Sequence, residues 1–280
     1  MRFGCHVSIR GGYLEAARLA ERIGAESFQY FPKNPRSLAI KAFNEKDALA
    51  CAAYCREKGI ASIAHTPYPT NLAAEAGEHR ETVVRSLLND LEIAEACGSV
   101  GVVVHFGIYK GSELLDGYKN IIATLNTVLR CWEGSACLLI ENQSGEHARM
   151  GMTFEELTGI RNLCSKPERV GFCLDTCHAF ASGLWNGGDW SELWAKGSEL
   201  GYFDHLKAVH LNDSVYPHKS YKDRHANIGN GKIGLAGFRH VLALPVPDDL
   251  PAVLETPVPS SGGHRKEIAV LRQLSEEFYT

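Results

Sequence analysis

His65, His105, Glu141, Asp175, His210 and Glu255 recur along the chain at intervals of 34 to 45 residues. Each closes a short apolar run: SIAH, VVVH, LLIE, FCLD, KAVH and AVLE. His178 follows Asp175 by three residues, and Asp223 and His225 make a further pair within KDRHANIG. Imidazoles and carboxylates together are donors for divalent metals. Four carboxylates brought into one small volume would repel each other and raise one another's pKa, and cations remove that conflict. Nine donors are too many for one ion, and they suit two or three with one carboxylate bridging. Their mixture of nitrogen and oxygen favours zinc, with manganese or iron as alternatives. Taken singly, each residue has a plainer role. A histidine after an apolar run packs and hydrogen-bonds, Glu141 or Asp175 caps a following helix, and Asp223 with His225 is an ordinary loop pair. The case for a site rests on their joint placement.

The recurrence interval is about the length of one strand–helix unit. Short apolar runs such as RFGCHVS, SFQYFP, SVGVVVHFG and RVGFCLDTCH alternate with amphipathic stretches, the last of them from 264 to 278. Eight such pairs follow one another, which predicts a parallel sheet buried on both faces. The expected fold is α/β, a (β/α)8 TIM barrel, with residues 1–280 forming a single domain. Gly24, Gly59, Gly98 and Gly134 fall where helices should close. An open doubly wound sheet is the alternative. It would carry a Gly-rich phosphate loop after its first strand, and Gly11-Gly12 lacks that spacing. In a barrel, the residues at strand C-termini return to one mouth, where barrel enzymes assemble their sites.

With 45% hydrophobic and 22% charged residues, the 280-residue chain has the composition of a globular protein. Its apolar runs are too short to cross a bilayer, and MRFGCHVSIRGG lacks the apolar segment of a secretory signal. A cytoplasmic location is therefore expected. The nine cysteines are scattered and form no CxxC pair, so they read as reduced, buried thiols. A net charge of −4 argues, by itself, mildly against a nucleic-acid partner. His79, His147, His205, His218, His240 and His264 read as surface or structural, and His6 as a packing or supporting residue.

Several stretches resemble the endonuclease IV family of apurinic/apyrimidinic (AP) endonucleases. They are GCHVS, LIEN with Asn142, VGFCLDTCHAFASG, VHLND, KDRHANIGNGKIG and LETP, and the likeness runs nearly end to end. The resemblance implies a barrel with three zinc ions in a DNA-binding face. His65, His105 and Glu141 would hold the first ion. Glu141 would bridge to a second, also held by Asp175, His210 and Glu255, and would orient the attacking hydroxide as the catalytic carboxylate. His178, Asp223 and His225 would hold the third. The implied activity is hydrolysis of the phosphodiester 5′ to an abasic site, leaving a 3′-hydroxyl and a 5′-deoxyribose phosphate, with trimming of blocked 3′ ends. The implied partner is double-stranded DNA bearing those lesions, acted on by a monomer. Arg36 and Tyr68 match positions that enter the duplex, and Lys33, Lys110, Lys219, Lys222 and Arg224 would rim the same face. Three dications would outweigh the formal −4 where phosphate binds. Pro69 departs from the family's usual aliphatic residue, and HFGIYKG departs from its HPGSH-like stretch. A metal-dependent sugar isomerase or epimerase on a similar barrel is the rival enzyme, and a non-catalytic DNA-damage binder the rival of another class.

Overall fold

The computed structural model describes residues 1–258 and 263–277. Among them, eight parallel strands close into a barrel: Arg2–His6, Ser27–Tyr30, Ala61–His65, Gly101–His105, Cys137–Glu141, Val170–Asp175, Leu206–His210 and Pro251–Leu254. Neighbours around the barrel are neighbours in the chain, and the last strand pairs with the first. That closure excludes the open sheet.

Alternate side chains of a strand share a face. Ile63, Val103, Leu139, Cys173, Ala208 and Val253 form one buried cluster inside the barrel. Each precedes one of the six recurring donors by two residues. The donors therefore form the next layer up the same inner face. The residues between, Ala64, Val104, Ile140, Leu174, Val209 and Leu254, belong to the larger core packed under the helices. Parity along the strand thus decides which residues reach the rim. Register aligns them as well: His105 pairs with Glu141, and Asp175 with His210.

Eight helices alternate with these strands: Tyr13–Arg22, Glu45–Lys58, Glu78–Ala96, Leu114–Cys131, Phe154–Asn162, Ser191–Glu199, Gly234–Leu242 and Arg265–Glu276. Asn44 caps the second by accepting the Asp47 N–H, and Thr153 with Glu156 forms a capping box on the fifth. Gly24, Gly59 and Gly98 adopt positive φ at helix ends, as expected, whereas Gly134 does not. The preceding helix stops at Cys131 and turns extended at Trp132, so Gly134 closes nothing. Residue 278 of the expected last helix lies outside the described residues. Two further elements serve the site. Thr176–Ser182 is a short helix directly after the sixth strand, and Asp213–Ser214 pairs with His225–Ala226 as a small antiparallel ribbon. Seven of the nine free cysteines are buried, but Cys137 is half-buried and Cys131 exposed, contrary to the expectation for them. No helix among the described residues is long and apolar enough to cross a membrane.

Candidate metal centre

All nine predicted donors meet at the C-terminal rim. Three sets have donor atoms mutually within 4.8 Å: His65, His105 and Glu141; Glu141, Asp175, His210 and Glu255; His178, Asp223 and His225. Glu141 is common to two of them. Its Oε2 lies 3.6 Å from His65 Nε2 and 3.3 Å from His105 Nε2. Its Oε1 lies 3.1 Å from His210 Nδ1. The third set comes from different elements. His178 sits on the short helix, His225 on the second strand of the ribbon, and Asp223 just before that strand. Asp223 bridges the pair, its carboxylate oxygens 3.1 Å from Nε2 of each imidazole.

Asp175 caps the helix, as expected, and also faces the imidazoles of the cluster. One carboxylate oxygen caps the short helix by accepting the His178 N–H at 2.7 Å, while the other faces His210 and His225 at 3.8 Å. The cap is what turns the chain so that His178 reaches the rim three residues later.

Three of the imidazoles are anchored to backbone carbonyls through Nδ1. Nδ1 of His65 donates to the Thr66 carbonyl at 2.8 Å, and Nδ1 of His178 to the Asn142 carbonyl at 2.8 Å. Nδ1 of His225 donates to the Glu255 carbonyl at 3.4 Å. Such outer bonds fix which nitrogen is free for a cation. Asn142 also accepts the Asp175 N–H, and Asn212 donates to Asp175 at 2.7 Å and to Glu255 at 3.3 Å. Asp213, quoted within VHLND but given no role there, gathers the backbone N–H groups of Gly229, Gly231 and Ile233 at 2.9 to 3.0 Å. It thereby folds the loop that carries Asp223 and His225. A Cβ at Gly231 would stand 2.3 Å from the Asp213 carboxylate, which explains that glycine.

Charge in the cluster is balanced by protons. Burial pulls the imidazoles down, yet the acidic groups facing them more than restore His105, His178, His210 and His225, all of which stand above their ordinary range, His225 at about 9. Burial likewise pushes the carboxyls up, but the imidazoles hold Glu141 and Asp223 well below their usual range and Glu255 at about 2. For Asp175 burial prevails and its pKa is raised. A cluster that draws in protons so strongly is one that accepts cations. Three buried atoms within it make no well-aligned hydrogen bond, although each faces an oppositely charged group at 3.1 to 3.3 Å: Glu141 Oε2, His178 Nε2 and His225 Nε2. Bound divalent ions would give all three a well-aligned partner. The residues present therefore fit such ions. Cys177 lies within reach of Asp175 and His225, but burial pushes its thiol up to about 12, so it remains protonated.

Residues 17–274 match a family described as a xylose isomerase-like TIM barrel. A probable endonuclease 4 of Symbiobacterium thermophilum is 42% identical over 274 residues, which cover 98% of this chain and 99% of that one. The chain belongs to the endonuclease IV family. A probable endonuclease 4 of Akkermansia muciniphila is 35% identical over 277 residues, covering 96% of this chain and 97% of the relative. The crystal structure of endonuclease IV from Thermus thermophilus superposes with a TM-score of 0.85 at 32% identity, covering 99% of this chain and all of that one. A D-tagatose 3-epimerase-like protein superposes at 0.73 with 20% identity, a likeness of fold alone. Membership in the endonuclease IV family makes the chain a hydrolytic enzyme.

Above the rim lie a cavity of about 300 Å³, lined by His6, His65, Tyr68, His105, His178 and His264 among others, and an adjoining one of about 310 Å³ that reaches His147. His264 is thus buried at the site's edge, bonded to Glu267, and His147 borders it. His147 is exposed and His264 structural, as expected, and both lie beside the cavities. His6 packs on Phe31 with ring centroids 4.6 Å apart. Tyr68 is 64% exposed at the mouth, and Arg36 is exposed beside it. Their loops are joined, since the Tyr68 N–H donates to the Pro35 carbonyl at 2.8 Å. The HFGIYKG loop is tied to the Tyr68 loop through Asn71, which donates to the Ile108 carbonyl and accepts its N–H, both at 2.9 Å. Lys33 corrects an expectation. It does not rim the face but is buried, 3.1 Å from Asp90 and 2.7 Å from the Ser86 carbonyl. Lys110, Lys219, Lys222 and Arg224 are exposed.

The residue that sequence reasoning missed is Gln29. Every barrel strand sends one polar side chain to the inner rim, and Gln29 is the second strand's. It sat unnoticed inside SFQYFP because it cannot titrate. Its parity with Ser27 and its alignment beside His6 were the available signals.

Proposed function

We propose that the chain hydrolyses the phosphodiester 5′ to abasic sites in duplex DNA, leaving a 3′-hydroxyl and a 5′-deoxyribose phosphate, and trims blocked 3′ ends. It acts as a single-domain monomer carrying three divalent ions, zinc foremost, with manganese or iron as substitutes. His65, His105 and Glu141 hold the first ion, Glu141, Asp175, His210 and Glu255 the second, and His178, Asp223 and His225 the third. When bound, such ions lower the pKa of a coordinated water and neutralise the charge of the phosphate being cleaved. Glu141, shared by two sets, orients the attacking water. The anchored imidazoles keep their free nitrogens on target without rearrangement. Arg36 and Tyr68 occupy the helical stack vacated by the displaced sugar and the orphan base, offsetting an unstacking cost of about a few kcal/mol.

The observation that carries this reading is the convergence of nine donors into three sets, with Glu141 common to two of them. A sugar isomerase or epimerase needs one or two ions and has no use for the set of His178, Asp223 and His225. A mere binder of damaged DNA has no need of an intact donor ring. The test is incubation of the zinc- or manganese-loaded protein with a duplex containing one abasic site. Nicking on the 5′ side, with a product that a polymerase extends, is the expected result. An intact duplex under both metals overturns the proposal.

A further inference from the structure

Gln29 is fully buried between two members of the second donor set. Its Nε2 lies 2.6 Å from Glu255 Oε1. A carboxylate accepts and does not donate, so the amide group must present its NH2 to Glu255 and its oxygen to the other side. That oxygen lies 2.8 Å from His210 Nε2. An amide oxygen only accepts, so Nε2 of His210 carries a proton and Nδ1 is the nitrogen left for a cation. Nδ1 then turns to the rim, 3.1 Å from Glu141 Oε1 and 3.1 Å from Glu255 Oε2. The remaining amide hydrogen points to His6 Nδ1 at 3.3 Å. One uncharged side chain therefore fixes two donors of the same set, while no hydrogen bond joins it to the other two sets.

We propose that Gln29 is a positioning residue of the second cation site: its carboxamide locks the Nε2–H tautomer of His210 and the orientation of the Glu255 carboxylate, so that both present ligand atoms to one ion. The inference rests on the proposed function in that it takes the second set to hold a cation. Outer partners of metal ligands typically govern affinity by about 10- to 100-fold. The effect is confined here to one ion of three, because no hydrogen bond among the described residues joins Gln29 to His65, His105, His178, Asp223 or His225.

The experiment compares wild-type protein with Q29L and Q29A in the full chain. Zinc is titrated against a chromophoric chelator, and cadmium-substituted samples are examined by cadmium NMR. Two ions should keep wild-type affinity and one should weaken by about 10- to 100-fold, with a single cadmium resonance displaced. Q29A leaves room for water and keeps an apolar group away from Glu255, so it serves if Q29L folds poorly. Retention of the two unaffected ions reports the fold independently of activity. Wild-type affinity for all ions in both variants overturns the assignment. So does an equal weakening of every ion, which would mark a general collapse. A wild-type chain that takes up fewer than three ions contradicts the proposed function instead, and the two failures are thereby told apart.

Discussion

Side chains on the rim are held from several directions, whereas those of Arg36 and Tyr68 above it make no hydrogen bond among the described residues. His178 is anchored by its own N–H to Asp175 and by its ring to Asn142. Tyr68 leans on Phe31 at 5.2 Å, but most of its surface is open. The contrast follows from what each region must do under the proposed function. Bond cleavage tolerates little displacement of its ligands, so most are set at barrel strand ends and locked by a further layer of hydrogen bonds. A distorted duplex varies in shape, so its contacts stand on loops, which adapt. Rim substitutions should therefore act on turnover, and loop substitutions on binding.

The severest test of that division is Glu141→Gln. Removing the carboxylate shared by two sets should lower kcat on the order of a thousandfold, equivalent to several kcal/mol of lost stabilisation. Single-turnover cleavage of the abasic duplex measures it, and a drop of less than tenfold would break the comparison at its centre. Next comes Lys33→Met, which probes the footing of the loop pair. It leaves the buried Asp90 carboxylate unpaired, and breaking such a pair costs about 3–5 kcal/mol. Chemical denaturation reports the loss, and replacing Asp90 with an apolar residue as well should recover much of it.

Acidification sharpens the rim's side of the contrast. His225 in the metal-free protein keeps its proton up to about pH 9, so an incoming cation must displace it below that pH. Zinc affinity should rise as pH climbs toward 9 and fall as it drops, about tenfold per pH unit for each proton displaced. Calorimetry in buffers of different ionisation enthalpy should show proton release at neutral pH. For the metal-free chain the sign is the reverse. A raised imidazole pKa contributes stability below the unfolded value near 6.5, and that stability is lost as pH rises through about 9. The smallest effect is expected of Tyr68→Ala. Loss of one stacking aromatic should weaken binding by about 1–3 kcal/mol with kcat nearly unchanged. A fall in kcat with KM intact would assign Tyr68 to the chemistry instead.

The rim was legible because its donors are chemically conspicuous and recur at the barrel's own interval. His65, His105 and Glu141 needed no tertiary information beyond strand parity. Lys33 misled because a cation in a loop reads as solvated, and only the fold brings Asp90 of the neighbouring helix beneath it. Gln29 and Asp213 stayed hidden for a related reason. An amide or carboxylate that organises other residues has no periodic signature, and its meaning lies in the groups it touches. The helix from Thr176 to Ser182 was masked by its own contents, since DTCHAFAS reads first as a set of donors and only afterwards as a cap and a turn.

Ile63, Val103, Leu139, Cys173, Ala208 and Val253 form a stopper directly under the rim, and each is essentially inaccessible to solvent. Among the described residues, the centre is consequently closed from below. Whatever enters or departs, whether ion, water or severed strand, shares the approach flanked by Tyr68 and Arg36. Under the proposed function, a nucleic acid lying across that side would cover the bound ions, so a chelator should strip the free enzyme faster than the occupied one.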